Sequence, residues 1–129
     1  MKLNLLSDLT GQALMASLQG TAARQAAIAD NIANVDTPGF IRSEVDFETA
    51  LARALDTARR ASSAVSPRLS LAAGKSKDYS APARADGNNV DIDREMAALS
   101  RTALSYRAAS ELLSTRIRML RAAIGQGRV

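Results

Sequence analysis

The chain has 129 residues, a net charge of +4 and neither cysteine nor histidine, which excludes a disulfide framework, thiolate or imidazole metal ligands and the usual proton shuttle. Only four aromatic residues, Phe40, Phe47, Tyr79 and Tyr106, stand against 26 alanines, so a core has to come from close helix contacts rather than bulky side chains. The charge falls in blocks, with residues 1–52 summing to −3, 53–84 to +5, 85–100 to −3 and 101–129 to +5. Such blocks suit an anionic partner such as nucleic acid or lipid, or equally the pairing of neighbouring subunits.

Asp8, Thr10 and Gln12 interrupt the leucine-rich start, so no apolar run approaches the ~20 residues of a transmembrane segment. The same interruption, without a small-residue cleavage site, predicts that the start is retained rather than removed as a secretory signal. Leu14, Leu18, Thr21, Gln25, Ile28, Ile32 and Val35 alternate in steps of four and three, which predicts an amphipathic helix over about 8–34 within an N-terminal unit 1–36. Thr21 and Gln25 weaken its apolar seam. Pro38 turns Thr37 away from helical geometry, and Pro38-Gly39 is the favoured centre of a type II turn, so residues 37–48 read as a turn followed by a short extended segment.

Residues 49–61, with Phe47 at their head, read as a possible short helix. Residues 62–89 shift to Ser, Ala, Gly, Pro and Lys/Arg and read as a flexible or variable loop. Asp86-Gly87-Asn88-Asn89 is a turn signal, after which Asp91 or Asp93 can cap a new helix, with Glu95 near its positive end. Over 90–125, Ile92, Met96, Leu99, Ala103, Tyr106, Ser110, Leu113, Ile117, Leu120 and Ile124 keep a four-three rhythm across ~50 Å of helix, broken only at Ser110. Leu104, Ala108, Leu112, Met119 and Ala122 form a second apolar row away from that seam. A helix apolar on two sides needs more than one neighbour, which predicts self-assembly or packing into a larger polymer.

Chemical motifs are weak by comparison. Gly74-Lys75-Ser76 resembles the end of a phosphate-binding loop, but Leu69 stands where its first glycine belongs. The oxygen-rich DGNNVDIDRE places its glycine directly after the first Asp, unlike a calcium loop. Asp30, Asp36, Glu44, Asp46 and Glu48 show no spacing that singles out a catalytic pair. The expectation is a non-enzyme without cofactor or metal. A small basic helical nucleic-acid-binding or chaperone-like protein is the alternative, but Arg101, Arg107, Arg116, Arg118 and Arg121 scatter around the helix and no aromatics interleave for base stacking.

The stretch DNIANVDTPGF, residues 30–40, resembles the asparagine-rich helix end and Thr-Pro-Gly-aromatic turn of the bacterial flagellar rod and hook proteins. Within the basal-body rod protein family the chain is most similar to the proximal, B-type branch: DGNNVDIDREMAAL at 86–99 resembles its entry into the last helix, and SYRAASELLSTRIRMLRAAIG at 105–125 its ending. The resemblance covers about residues 8–48 and 86–125, and departs from the family at Val35, often alanine there, and Phe40, often tyrosine. It implies a mainly α structural subunit whose long N- and C-terminal helices pair as a coiled coil on assembly. It makes Asn31, Asn34, Thr37, Pro38, Gly39 and Phe40 an assembly motif, and Leu14, Leu18, Ile28, Ile32, Ile92, Met96, Leu99, Tyr106, Leu113, Ile117, Leu120 and Ile124 the coiled-coil seam. It further implies other rod proteins, the rod-to-ring adaptor, the export gate of the flagellar type III apparatus and copies of the chain itself as partners. The implied place is the periplasmic rod, reached without a cleaved signal peptide.

Overall fold

The structure is a computed structural model and describes residues 8–60 and 74–126; the expectations for residues 1–7 and 61–73 lie outside the described residues. Elements follow in the order α1 (Leu9–Ala33), β1 (Ser43–Val45), α2 (Phe47–Arg60), β2 (Lys75–Lys77) and α3 (Ile92–Gln126), so the chain is mainly α with long N- and C-terminal helices. An aspartate opens each helix by accepting from an orphan backbone N–H: Asp8 from Gly11 at 3.0 Å, Asp46 from Thr49 at 3.2 Å, and Asp91 from Asp93 at 3.0 Å and Arg94 at 3.2 Å. Each cap contributes about 1 kcal/mol. Of the two candidates to cap the last helix, Asp91 does so.

The two long helices run antiparallel. Asp8, before the first turn of α1, pairs with Arg116 near the far end of α3, while Asn31, near the end of α1, donates to Glu95 in the first turn of α3 at 3.1 Å. On α3 the deepest burial falls on Glu95, Thr102 and Ala109, each seven residues from the next, and on α1 Ala16, Gly20, Thr21, Ala27, Ile28 and Asn31 are buried. Side chains this small let backbones approach closely. The two threonines keep their hydroxyls satisfied within their own helices, Thr21 donating to the Ser17 carbonyl and Thr102 to the Ala98 carbonyl, both at 2.8 Å. Thr21 is therefore a buried packing residue and not a fault in the helix.

The expected heptad residues lie beside this line instead of on it. Ile28 is buried; Leu14, Leu18, Ile32, Leu99, Leu113, Ile117 and Leu120 are half-buried; Ile92, Met96, Tyr106 and Ile124 are exposed. Within one chain the packed line of α3 thus runs one residue ahead of Met96, Ala103 and Ser110. The large apolar side chains are left at its flank.

Helix α2 is held to α1 by one ring. Phe47, 3% exposed, lies against Gly20 so closely that a Cβ there would come within 2.3 Å of its Cγ. Arg24 sits over the same ring, 4.6 Å from its centroid, donates twice to the Val45 carbonyl at 3.0 and 2.9 Å, and pairs with Glu48. Ala27, Val45 and Phe47 form the small apolar cluster at this junction.

β1 and β2 pair antiparallel, with Ser43 opposite Lys77, Glu44 opposite Ser76 and Val45 opposite Lys75. This departs from the expectation of a flexible or variable loop over 62–89 for its described part: residues 74–89 supply a strand and, as shown next, two buried side-chain anchors, Asn88 and Asn89, and a half-buried one, Asp78. Lys-Ser-Lys has no strand preference of its own, and pairing with β1 creates the strand.

Candidate assembly site

The chain leaves α1 through a left-handed turn. Phe40 N–H donates to the Thr37 carbonyl at 3.2 Å across Pro38-Gly39, and Gly39 takes φ +71°, which side chains with a Cβ resist. Thr37, Pro38 and Gly39 are exposed, and Phe40 is half-buried beneath the Lys77 ammonium, 4.5 Å from the ring centroid. The turn is fastened from a distance: Gly39 N–H donates to the Asp86 carbonyl at 2.8 Å, and Gly87, at φ +80°, approaches so near that a Cβ on it would lie 3.4 Å from the Gly39 Cα.

Asn88, fully buried, closes the end of α1. Its side-chain amide reaches the carbonyls of Asn34 at 2.9 Å, Val35 at 3.1 Å and Thr37 at 2.8 Å, while its own carbonyl accepts Val90 N–H at 2.7 Å. These carbonyls lie just past the helix end; those of Asn34 and Thr37 also accept from the Thr37 and Phe40 N–H groups, and Arg84 adds a further donor to Val35 O. Asn34 works locally, donating to the Asp30 carbonyl at 2.8 Å and accepting from the Thr37 hydroxyl at 3.2 Å.

Asn31 does something else. Fully buried, it accepts from Ser43 N–H at 2.7 Å and donates to Ser43 C=O at 2.8 Å, so its amide takes the place of a neighbouring strand on β1. Of the two asparagines in the motif, only Asn34 therefore serves the backbone of its own helix end. Asn89 plays the matching part on the other side, accepting from Arg42 N–H and donating to Asp78 C=O, both at 2.7 Å, where the ladder would otherwise close directly.

Between the two asparagines lies a charged knot. Glu95, 1% exposed, receives the Asn31 amide and the Arg42 Nε, the latter at 2.8 Å; Arg42 also bonds Asp78 at 2.5 Å and lies 3.5 Å from Glu44. Burial pulls the Arg42 guanidinium down, but its bonds to Glu95 and Asp78 more than offset this and hold it above its ordinary value. The Ser80 hydroxyl and amide, followed by Arg42, lower Asp78 to about 2. Among the side-chain atoms of the knot, Ser43 Oγ is buried without a partner.

The two stretches that stood out in the sequence, 30–40 and 86–99, are therefore one structure. Asn31, Asn34, Thr37, Pro38, Gly39 and Phe40 come together there with Asn88, Asn89 and Glu95, which sequence reasoning read only as turn and helix-start residues, and with Arg42 and Asp78, which it passed over. Paired amides beside a lone Arg-Glu couple give little signal until they are brought together in space. The proposed seam residues do not gather at this site but spread along α1 and α3. An open cleft of about 840 Å³ borders the knot, lined among others by Arg24, Arg42, Arg94, Arg101 and Thr102. Among the described residues no cluster of acidic side chains could hold a metal ion, and no helix is long and apolar enough to cross a membrane.

Residues 12–40, the end of which is this turn, match the family model of the flagella basal body rod protein. The chain is 41% identical to the flagellar basal body rod protein FlgB of Borrelia hermsii, over 64% of this chain and 71% of that one. It is 33% identical to FlgB of Escherichia coli K12, over 75% and 79%. With FlgB of Bacillus subtilis 168 it shares 29% identity over 92% and 95%.

Proposed function

Because the chain belongs to the flagellar basal body rod protein family, of the FlgB type, we propose that it is a structural subunit of the proximal rod, non-catalytic, connecting the ring and export gate to the distal rod and transmitting torque. The observation that carries the reading is the state of α3. After packing against α1 it still exposes Met96, Leu104, Leu112, Met119 and Ile124, with Leu104 at 70% and Leu112 at 60%. A helix that keeps large apolar side chains in water on more than one side is built to receive neighbours. The half-buried and exposed heptad residues are the surface on which coiled-coil contacts with adjacent subunits would form. The exposed turn at 37–39 is the part of the assembly motif that neighbours can reach. Its partners are then other rod proteins, the rod-to-ring adaptor, the export gate and copies of itself, in the periplasmic part of the basal body, without a cleaved signal peptide.

The nucleic-acid-binding alternative loses support at α3, where Arg116 is spent on Asp8 and Arg118 on Glu111. Leu112→Asp tests the reading. The side chain is exposed, so the variant should fold as the parent does, by circular dichroism, yet be missing from purified basal bodies and leave cells non-motile. Leu113→Asp should fail differently, because Leu113 is half-buried and the charge also disturbs the fold of the single chain. Normal incorporation of Leu112→Asp into rods would overturn the assembly role of this face.

A further inference from the structure

The two edges of the small ribbon are treated unlike each other. Asp78 N–H donates to Arg42 C=O at 2.9 Å, which marks Arg42 and Asp78 as a bonded pair; antiparallel alternation then makes Glu44 and Ser76 the next bonded pair. The backbone groups of Ser43, Val45, Lys75 and Lys77 consequently point away from the ribbon. On the β1 side they are taken, Ser43 by the Asn31 amide and the Val45 carbonyl by Arg24. On the β2 side, among the described residues, the N–H and C=O groups of Lys75 and Lys77 have no partner, and all three residues of the strand are exposed.

Lysines on an edge strand ordinarily keep other strands away by standing out as charges. Here both are turned back onto the chain: Lys75 Nζ lies 2.6 Å from Asp30, and Lys77 Nζ donates to the Ile41 carbonyl at 2.8 Å while sitting over the Phe40 ring. Among the described residues the edge is thereby left open to a strand. We infer that the outer edge of β2 docks an extended segment of a different protein by strand addition, with a carboxylate of that segment opposite Lys77.

The chemistry selects this occupant over a second copy. Antiparallel pairing of two β2 strands about Ser76 would set Lys75 of each directly opposite Lys77 of the other, and like charges opposite one another are destabilising. Among the described residues Lys77 makes no direct ion pair with a carboxylate and feels Asp30 only at a distance, whereas Lys75 contacts Asp30 directly. An incoming acidic side chain at the Lys77 position completes the ammonium's shell, and the incoming backbone satisfies the open groups of Lys75 and Lys77. The contact is short and adds to a larger interface rather than standing for one. It does not depend on the rod reading, since it rests on the strand edge of the single chain alone.

Hydrogen exchange on the full-length chain, read at single amides by NMR, tests this with two synthetic end-blocked peptides, one alternating threonine and glutamate, the other threonine and lysine. The glutamate peptide should slow exchange at Lys75 and Lys77, and the lysine peptide should not. Lys77→Pro removes one outward N–H as well as the ammonium while leaving the Ser76 ladder bonds, and should bind the glutamate peptide about fivefold more weakly than Lys77→Ala, the worth of one backbone hydrogen bond. Lys77→Ala keeps that N–H and should retain protection but lose the preference for glutamate. Should the proline variant not fold, the parent chain and Lys77→Ala decide the matter alone. No protection in the parent, equal protection by both peptides, or protection that grows with chain concentration alone would each overturn the inference.

Discussion

Replacing Asn31 by alanine should be the most damaging single truncation at the turn, because of what its amide leaves behind. The side chain is fully buried and satisfies Ser43 N–H at 2.7 Å, Ser43 C=O at 2.8 Å and one Glu95 oxygen at 3.1 Å. Each buried polar group left without a partner costs about 1–3 kcal/mol. Water entering the vacated volume recovers part of this, so a net loss of about 3–5 kcal/mol is expected. Domain stabilities run only ~5–15 kcal/mol, so the change should be plain in urea denaturation followed at a helical wavelength. Asn34→Ala is the internal control: its side chain is half-buried and bonds mainly to its own helix, so it should cost about 1 kcal/mol. An Asn31→Ala loss below about 1 kcal/mol, or one no larger than that of Asn34→Ala, would refute the view that Asn31 acts as a surrogate strand between α1, β1 and α3.

Gly39→Val should misdirect the segment after the turn through backbone strain alone, since no atom lies within 4 Å of a Cβ there; about 1–2 kcal/mol is expected for the left-handed conformation and more for the branched side chain, seen as lowered thermal stability. Gly20→Ala sets a helix-propensity gain of about 1 kcal/mol against displacement of the Phe47 ring from its root, costing about 1–3 kcal/mol; the clash should win, and loss of protection at α2 amides in hydrogen exchange would show it. Asp78, lowered to about 2, contributes stability that is complete above its unfolded pKa near 3.9 and is lost as pH falls through about 2. Asp78→Asn should therefore lower stability at neutral pH by about 1–2 kcal/mol and flatten the acid limb between about pH 4 and 2, measured by denaturant titration at several pH values.

What was legible in the sequence was what local sterics decide. Pro38-Gly39 dictates a turn wherever it occurs, and Gly39 adopts the positive φ that this turn needs. The rhythm of 92–124 correctly announced one long helix. The line it turns toward α1 within the chain was not legible, because counting large apolar residues gives no weight to Glu95, Thr102 and Ala109, which pack closely for being small or, at Glu95, fully paired. The knot was hidden for a different reason. Its bonds join residues 64 positions apart between Asn31 and Glu95, and 54 apart between Asn88 and Asn34, and an asparagine read locally is a turn former. The strand β2 was invisible since Lys75-Ser76-Lys77 becomes extended only through its partner.

Locating the chain in a cryo-EM map of intact basal bodies from its own cells tests the central claim most directly. The account predicts density for α1 and α3 as an antiparallel pair in the proximal rod, next to the ring and export gate, with Leu104, Leu112 and Met119 covered by neighbouring subunits. Basal bodies whose rod is complete without this chain, or a rod in which those side chains still face solvent, would contradict it.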